Sequence, residues 1–213
     1  MNDSCCDHAS ELALERAGKF RTVLWLGLVI NLGMFSVEAV ASIMAGSSSL
    51  QADALDFLSD SANYAISLSV AGMDLVWRAR AALVKGLTMG AFGVAVIAGT
   101  VLHAIHGTVP HAQLMGIVGI VALVANTGVA TMLYRFRTGE ANMRSIWLCS
   151  RNDAIGNVAV LLAALGVLGT ETRWPDVLVA LIIAGLFLSG AWQVIRQSLR
   201  ELSLVHRIPS EAK

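Results

Sequence analysis

Residues 46–60 read Gly-Ser-Ser-Ser-Leu-Gln-Ala-Asp-Ala-Leu-Asp-Phe-Leu-Ser-Asp, and they end the gap after one long apolar run and begin the next. The small polar residues at the start of this stretch are typical of a turn. The apolar run that follows contains three aspartates, Asp53, Asp56 and Asp60. A helix turns by about 100° per residue, so these three side chains share one face of it. The stretch therefore predicts a turn followed by a helix with one acidic face.

The composition of the whole chain is that of a protein embedded in a membrane. Of its 213 residues, 56% are hydrophobic and 14% are charged, whereas soluble domains carry about 25% charged residues. The fifteen basic and fifteen acidic side chains cancel, which argues against a nucleic-acid partner. Three cysteines are too few for a disulfide scaffold. We therefore expect a multi-pass protein surrounded by the lipid bilayer, in a bacterial inner membrane.

Six runs of the sequence are long enough to cross a bilayer, which takes about 20 apolar residues in a helix. They cover approximately residues 22–45, 50–76, 84–105, 113–134, 145–169 and 175–195. Thirteen of the fifteen Lys and Arg residues lie near the ends of these runs on one side, with Lys85 at the start of the third run. Because such residues mark cytoplasmic loops, both termini are expected in the cytoplasm. The predicted fold is an all-α bundle of six transmembrane helices over residues 21–200, with cytoplasmic tails at residues 1–20 and 201–213.

The acidic face of the second run needs a counter-charge. A carboxylate at the centre of a transmembrane helix costs roughly 2.5–3.5 kcal/mol on insertion scales. Like charges this close together cannot all stay ionised without a partner. A divalent cation would neutralise them, and protons are the alternative occupant. A purely structural role is the third reading, in which the acids are protonated and hydrogen-bonded to neighbouring serine and asparagine side chains.

The fifth run carries a matching pair of metal-binding residue types. Cys149 and Asp153 are four residues apart and so lie on one helix face, with Asn152 and Asn157 close by. Together with the last two aspartates of the second run, they would close a four-ligand shell of three carboxylate oxygens and one thiolate sulfur. This ligand set suits Zn²⁺, Cd²⁺ or Co²⁺, since Mg²⁺ and Ca²⁺ prefer oxygen-only shells.

These motifs resemble those of the cation diffusion facilitators. Residues 46–60 are similar to the second-span signature of that family, with a small-residue turn, an Ala-Asp-Ala and a ligand pair four residues apart. Residues 149–157 resemble its fifth-span motif, which is usually His-x-x-x-Asp. Asn31 and Glu38 in the first run also fit the family's pattern. Common members continue after the sixth span into a cytoplasmic metal-sensing and dimerising domain, which we do not expect in this sequence.

The resemblance implies export of a divalent transition metal, with Zn²⁺ favoured, from the cytoplasm in exchange for protons. By position it implies that Asp56, Asp60 and Asp153 are metal ligands, with Cys149 where the family usually has His. Asp53 matches a neighbour that is frequently acidic in the family, and we place it among the residues that support the ligands or carry protons. The other residues of that kind are Glu38, Asn152 and Asn157. Any homodimer is expected to form through the transmembrane helices.

Two outlying groups of histidine and cysteine suggest further contacts with the metal. The first surrounds the predicted outer loop between the third and fourth runs and would relay metal or protons at the exit, although interfacial histidines are often merely solvated. It consists of His103, His106 and His111. The second, Cys5, Cys6 and His8, would capture metal on the cytoplasmic tail, although a Cys-Cys pair also arises by chance.

Two other classes of protein stay open as alternatives. One is a metal cation channel or a non-transporting membrane scaffold, since an acidic helix face also suits a cation pore. The other is a membrane-embedded metal-dependent hydrolase, which is less favoured because the sequence has neither His-Glu-x-x-His nor Gly-x-Ser-x-Gly. We therefore expect no enzymatic activity and no resident cofactor, with the divalent metal as the transported substrate.

Overall fold

A computed structural model describes residues 3–69, 75–137 and 141–207, without the side chains of residues 3–17, 75, 78, 141–146, 148, 149 and 204–207. Among these residues there are six α-helices and no strand, so the predicted all-α fold is confirmed. The helices are α1 (Asp3–Ala45), α2 (Ser48–Ser69), α3 (Leu75–His106), α4 (Ala112–Leu133), α5 (Ala141–Thr170) and α6 (Trp174–Arg207). A single 3₁₀ turn at Tyr134–Phe136 follows α4 within the described part.

Five segments of the described helices are long and apolar enough to cross a membrane. They are Gly18–Ala45, Ala79–His106, Ala112–Phe136, Ser150–Thr170 and Trp174–Ser203. Helix α2 is not among them, because the aspartates predicted to lie in the bilayer make it less apolar. Its 22 residues nevertheless span about 33 Å at 1.5 Å per residue, and it packs among the other helices. The protein is therefore a multi-pass helical membrane bundle.

The helices form a group of four and a separate pair. Helices α1, α2, α4 and α5 pack against one another, and α3 packs mainly against α6. Glycines let the pair approach closely: a Cβ atom at Gly86 would lie 2.8 Å from Cγ1 of Ile195, and one at Gly93 would lie 2.9 Å from Cδ2 of Leu188. The pair is joined to the group of four by an apolar cluster in which Val96 and Phe187 are buried.

The predicted turn between the first two helices is present and has two local causes. Gly46 adopts a φ of 62°, a left-handed conformation that favours glycine and ends α1. The next residue, Ser47, accepts a hydrogen bond from the backbone N–H of Leu50 on its side-chain oxygen at 3.1 Å. That bond satisfies one of the four N–H groups left unpaired at the start of a helix.

A buried aspartate of α6 also caps the start of α2. Asp176 is 0% exposed and accepts from the backbone N–H groups of Ser48 at 2.8 Å and Ser49 at 3.0 Å. The hydroxyls of Ser47 and Ser49 donate to the same carboxylate at 2.7 and 2.6 Å. Because Asp176 also lies in the first turn of α6, the positive ends of two helix dipoles meet at one negative charge.

Three helices extend beyond the apolar runs that predicted them. Helix α1 begins at Asp3 and α6 continues to Arg207. Helix α3 begins at Leu75, before the predicted apolar run that starts near residue 84, and Lys85 lies inside the helix instead of in a flanking loop. Hydropathy detects only the part of a helix that is apolar, whereas the backbone hydrogen-bond ladder continues through polar residues.

Candidate metal centre

Three predicted ligands meet between α2 and α5. Asp153 of α5 lies within hydrogen-bonding reach of both Asp56 and Asp60 of α2. We call these three side chains the carboxyl cluster. Asp60 is 8% exposed, while Asp56 and Asp153 are half-buried. The one-faced arrangement deduced from helical spacing is therefore present, and the second helix turns its acids toward the fifth.

The fourth predicted ligand, Cys149, lies in α5 outside the described side chains. Among the residues whose side chains are described, no three His, Cys, Asp or Glu groups are arranged as a ready metal site. The carboxyl cluster is thus a set of acids in mutual reach. A metal shell built from it and Cys149 stays a prediction.

A tyrosine near the C-terminal end of α2, which was not predicted from the sequence, supports the carboxyl cluster. Tyr64 is 1% exposed, its hydroxyl bonds to that of Ser150 over 2.7 Å, and it also reaches Asp60. The ring packs so closely on α1 that a Cβ atom at Gly27 would lie 2.9 Å from it. Tyr64 follows Asp60 by four residues, so the spacing that grouped the aspartates was a signal for it as well.

Among the described side chains, a lysine approaches the cluster from the α3–α6 pair. The half-buried Lys85 of α3 interacts electrostatically with Asp56 and Asp60. The charge pattern of the sequence predicts this residue among the charges that flank the spans. Its position within a largely apolar stretch was the available signal, because a lysine at such depth pairs with an acid.

Two more acids, one on α1 and one on α2, face each other beyond the carboxyl cluster, toward the C-terminal end of α1. Glu38 of α1 is 0% exposed and Asp53 of α2 is 3% exposed, and their carboxyl groups lie against one another. We call these two residues the outer pair. Asn157 of α5 donates from Nδ2 to Oδ2 of Asp53 at 2.7 Å, and Asn126 of α4 donates to Oδ1 of Asn157 at 2.9 Å. Three of the four residues predicted to support the ligands are thus close together.

The remaining candidates lie elsewhere. Asn152 is exposed on α5, and its Oδ1 accepts from Arg151 at 3.1 Å. His103 is half-buried in the last turn of α3, and two further histidines, His106 and His111, are exposed around the following loop. The side chains of Cys5, Cys6 and His8 are outside the described ones, so the predicted capture site stays a prediction.

The fold and the acids inside it define a class of protein. Ionisable side chains within a bundle of membrane helices mark the routes of ions and protons, which is typical of membrane transporters. Comparison with known families agrees: a model described as the cation efflux transmembrane domain matches residues 78–203. This is more than half of the chain, which therefore belongs to that family. The match contains Asp153 and begins after the α2 aspartates.

Two relatives are similar over a longer stretch. The zinc transporter ZitB of Yersinia pestis is 26% identical over 192 residues, covering 84% of this chain and 62% of the relative. The zinc transporter ZitB of Yersinia pseudotuberculosis serotype I (strain IP32953) matches with the same identity and coverage. The chain thus spans less than two thirds of the length of these relatives.

Proposed function

We propose that this protein exports divalent transition-metal cations, Zn²⁺ first among them, from the cytoplasm in exchange for protons. The metal would bind Asp56, Asp60 and Asp153 together with Cys149. The observation that carries the proposal is the meeting of α2 and α5 carboxyl groups at one point inside the bundle. Acids from two helices in such a place need a cation or protons, and an exchanger uses both in turn.

Competition between metal and protons follows from the ligand types. Carboxylates and thiolates bind metal only when deprotonated, so metal binding releases protons and proton binding releases metal. When the pocket opens to the cytoplasm, metal displaces the protons. When it opens to the other side, incoming protons displace the metal and complete the exchange.

Zn²⁺ is favoured for two independent reasons. Three carboxylate oxygens and one thiolate sulfur form a four-ligand set of the kind that Zn²⁺ takes in tetrahedral sites. In addition, both similar proteins carry the name zinc transporter. Cd²⁺ and Co²⁺ are the next candidates, because the sulfur ligand also suits softer ions.

The different burial of the two acidic groups supports access from the cytoplasmic end. Asp56 and Asp153 are half-buried, whereas Glu38 of the outer pair is wholly buried. The apolar cluster that ties the α3–α6 pair to the other helices contains Ala45 and Leu50, on either side of the turn between α1 and α2. By the predicted orientation this is the outer end, so the contacts that close the bundle lie there.

The test is transport in proteoliposomes that contain a trapped zinc indicator and an acidic lumen. We expect the pH gradient to drive Zn²⁺ uptake in the wild type and to fail in the Asp60→Asn and Asp153→Asn variants. Glu171→Gln, a change at an exposed acid outside the bundle core, is the matched control and should transport normally. Uptake that ignores the pH gradient would identify a channel, and the absence of flux for Zn²⁺, Cd²⁺ and Co²⁺ would overturn the proposal.

A further inference from the structure

Glu38 is a buried acid of α1 inside the described helix bundle. It is 0% exposed, and neither of its carboxylate oxygens accepts a hydrogen bond from any donor in the described residues. The carboxyl group of Asp53 lies within hydrogen-bonding reach of it and is a like charge when both groups are ionised. Burying two carboxyl groups against each other costs several kcal/mol unless their charge is neutralised, so this arrangement needs either a shared proton or a cation between the two acids.

The opposing carboxyl group is held in place by a chain of amides. Asn157 donates to Oδ2 of Asp53 at 2.7 Å, and Asn126 holds the oxygen of Asn157 at 2.9 Å. All three side chains are almost fully buried. Three helices therefore fix the position of Asp53, and its partner Glu38 on α1 is left without a comparable donor. Such preorganisation of one carboxylate toward another is typical of a binding site for a cation.

The outer pair lies directly beyond the carboxyl cluster on two helices. Asp53 precedes Asp56 by three residues on α2, and Asn157 follows Asp153 by four residues on α5. At 1.5 Å per residue the two tiers are separated by about 4.5–6 Å along the helices. The next turn outward includes Ala41, Leu50 and Val160, which belong to one buried apolar cluster. The acids thus form two successive levels along the bundle, and this cluster lies on the outer side of the second.

We propose that Glu38 and Asp53 form a second binding station for the transported divalent cation, on the way from the carboxyl cluster to the outer side. This inference rests on the proposed function. Two carboxylates neutralise one divalent cation, whereas a single shared proton would leave one charge unpaired. The station offers oxygen ligands alone, which bind Zn²⁺ less well than a site that includes a thiolate. A cation that moves outward therefore reaches a site of lower affinity, and this favours its release.

The experiment counts the Zn²⁺ ions bound at saturation by the purified full chain, using equilibrium dialysis and elemental analysis. We expect Glu38→Gln, which keeps the shape of the side chain, to bind one Zn²⁺ fewer than the wild type. Asp60→Asn should lose the ion of the carboxyl cluster and keep the outer one, and the double variant should lose both. Asp53→Asn is the second test of the station should Glu38→Gln fail to fold. Ser42→Ala, a change at another buried polar residue of α1, is the matched control.

The number of bound ions in each variant distinguishes a second binding station from the other roles of the outer pair. An unchanged count in both Glu38→Gln and Asp53→Asn would overturn the station and leave the outer pair as a holder of a shared proton. Loss of every bound ion in Glu38→Gln would also overturn it, because the pair would then only support the carboxyl cluster. An unchanged count in Asp60→Asn with a reduced count in Glu38→Gln would contradict the proposed transport site and retain the station, so the two failures are distinguishable.

Discussion

The hydroxyl of Ser49 donates to Oδ1 of Asp176 over 2.6 Å and joins the first turn of α2 to the first turn of α6 across 127 residues of sequence. The same carboxylate receives two backbone N–H groups of α2. This contact ties the helix that carries the acids to the α3–α6 pair at one end. The opposite ends of these helices are not held by the same contact, so the bond is suited to be a fixed point for any relative movement of the two groups.

Removing the charge of Asp176 should destabilise the bundle. In Asp176→Asn one side-chain oxygen would be replaced by an NH₂ group, which cannot accept the backbone N–H bond that this oxygen receives, from Ser49 at Oδ1 or from Ser48 at Oδ2. Hydrogen bonds to a charged group are worth about 1.5–3 kcal/mol, so we expect a loss of stability of that size. Thermal unfolding in detergent measures it, with Glu171→Gln as the control. Equal unfolding temperatures for the two variants would contradict the capping role.

Loss of the Tyr64 hydroxyl should weaken metal binding more than loss of its partner. Tyr64→Phe removes both the bond to Ser150 and the contact with Asp60, whereas Ser150→Ala removes only the first. Each variant should lose about 1 kcal/mol of stability. Only Tyr64→Phe should raise the dissociation constant for Zn²⁺, by several-fold, in a calorimetric titration. The same dissociation constant in both variants would reduce Tyr64 to a structural role.

Lys85 should oppose the binding of a divalent cation, because its ammonium group already interacts with the same carboxylates. Lys85→Gln removes that competing charge. We expect Zn²⁺ to bind up to about fivefold more tightly, as befits the loss of one partly exposed charge worth up to about 1 kcal/mol. Lys85→Arg keeps the charge and should bind Zn²⁺ like the wild type. Weaker binding in Lys85→Gln would show that the lysine positions the aspartates instead.

Metal affinity should fall as the pH falls. The carboxylates and the thiol bind metal only when deprotonated, so every proton displaced by the metal makes the apparent dissociation constant rise roughly tenfold for each pH unit of acidification in the range where that group titrates. Titrations of the wild type with Zn²⁺ at pH 8, 7 and 6 measure the slope. A dissociation constant that does not change over this range would contradict proton-for-metal competition.

Cys149 should set the preference among metals. Replacing the thiolate by imidazole in Cys149→His removes the softest ligand, so we expect Cd²⁺ to lose about tenfold in affinity relative to Zn²⁺. Cys149→Ser should weaken both ions and Cd²⁺ more. Glu171→Gln, a change at an exposed acid that no part of the site uses, is the control. Equal changes in the affinities for Cd²⁺ and Zn²⁺ in the two Cys149 variants would show that the thiolate is not a metal ligand.

Much of the fold and part of the site followed from local spacing. Apolar runs of sufficient length predicted the helices, because the bilayer thickness sets the length of a span. The i, i+4 spacing placed Asp56 and Asp60 on one face, and the structure turns that face toward Asp153. The helix ends were less accurate, as at α3 and α6, because helices continue into water on polar residues. Of the two asparagines near Asp153 in sequence, Asn157 donates a hydrogen bond to Asp53, whereas Asn152 is exposed on the surface of α5.

The sequence by itself determined that the protein is a helical membrane bundle and that one helix carries acids on a single face, because both properties repeat within a few residues. Only the tertiary structure decided which groups meet those acids. The Asn157–Asp53 bond spans 104 residues and the Tyr64–Ser150 bond spans 86. Lys85 approaches the carboxylates, and Glu38 faces Asp53, only because of the way the helices pack. Which residues of different helices meet depends on the packing angles and rotations of whole helices. The spacing of residues within one helix does not contain this information.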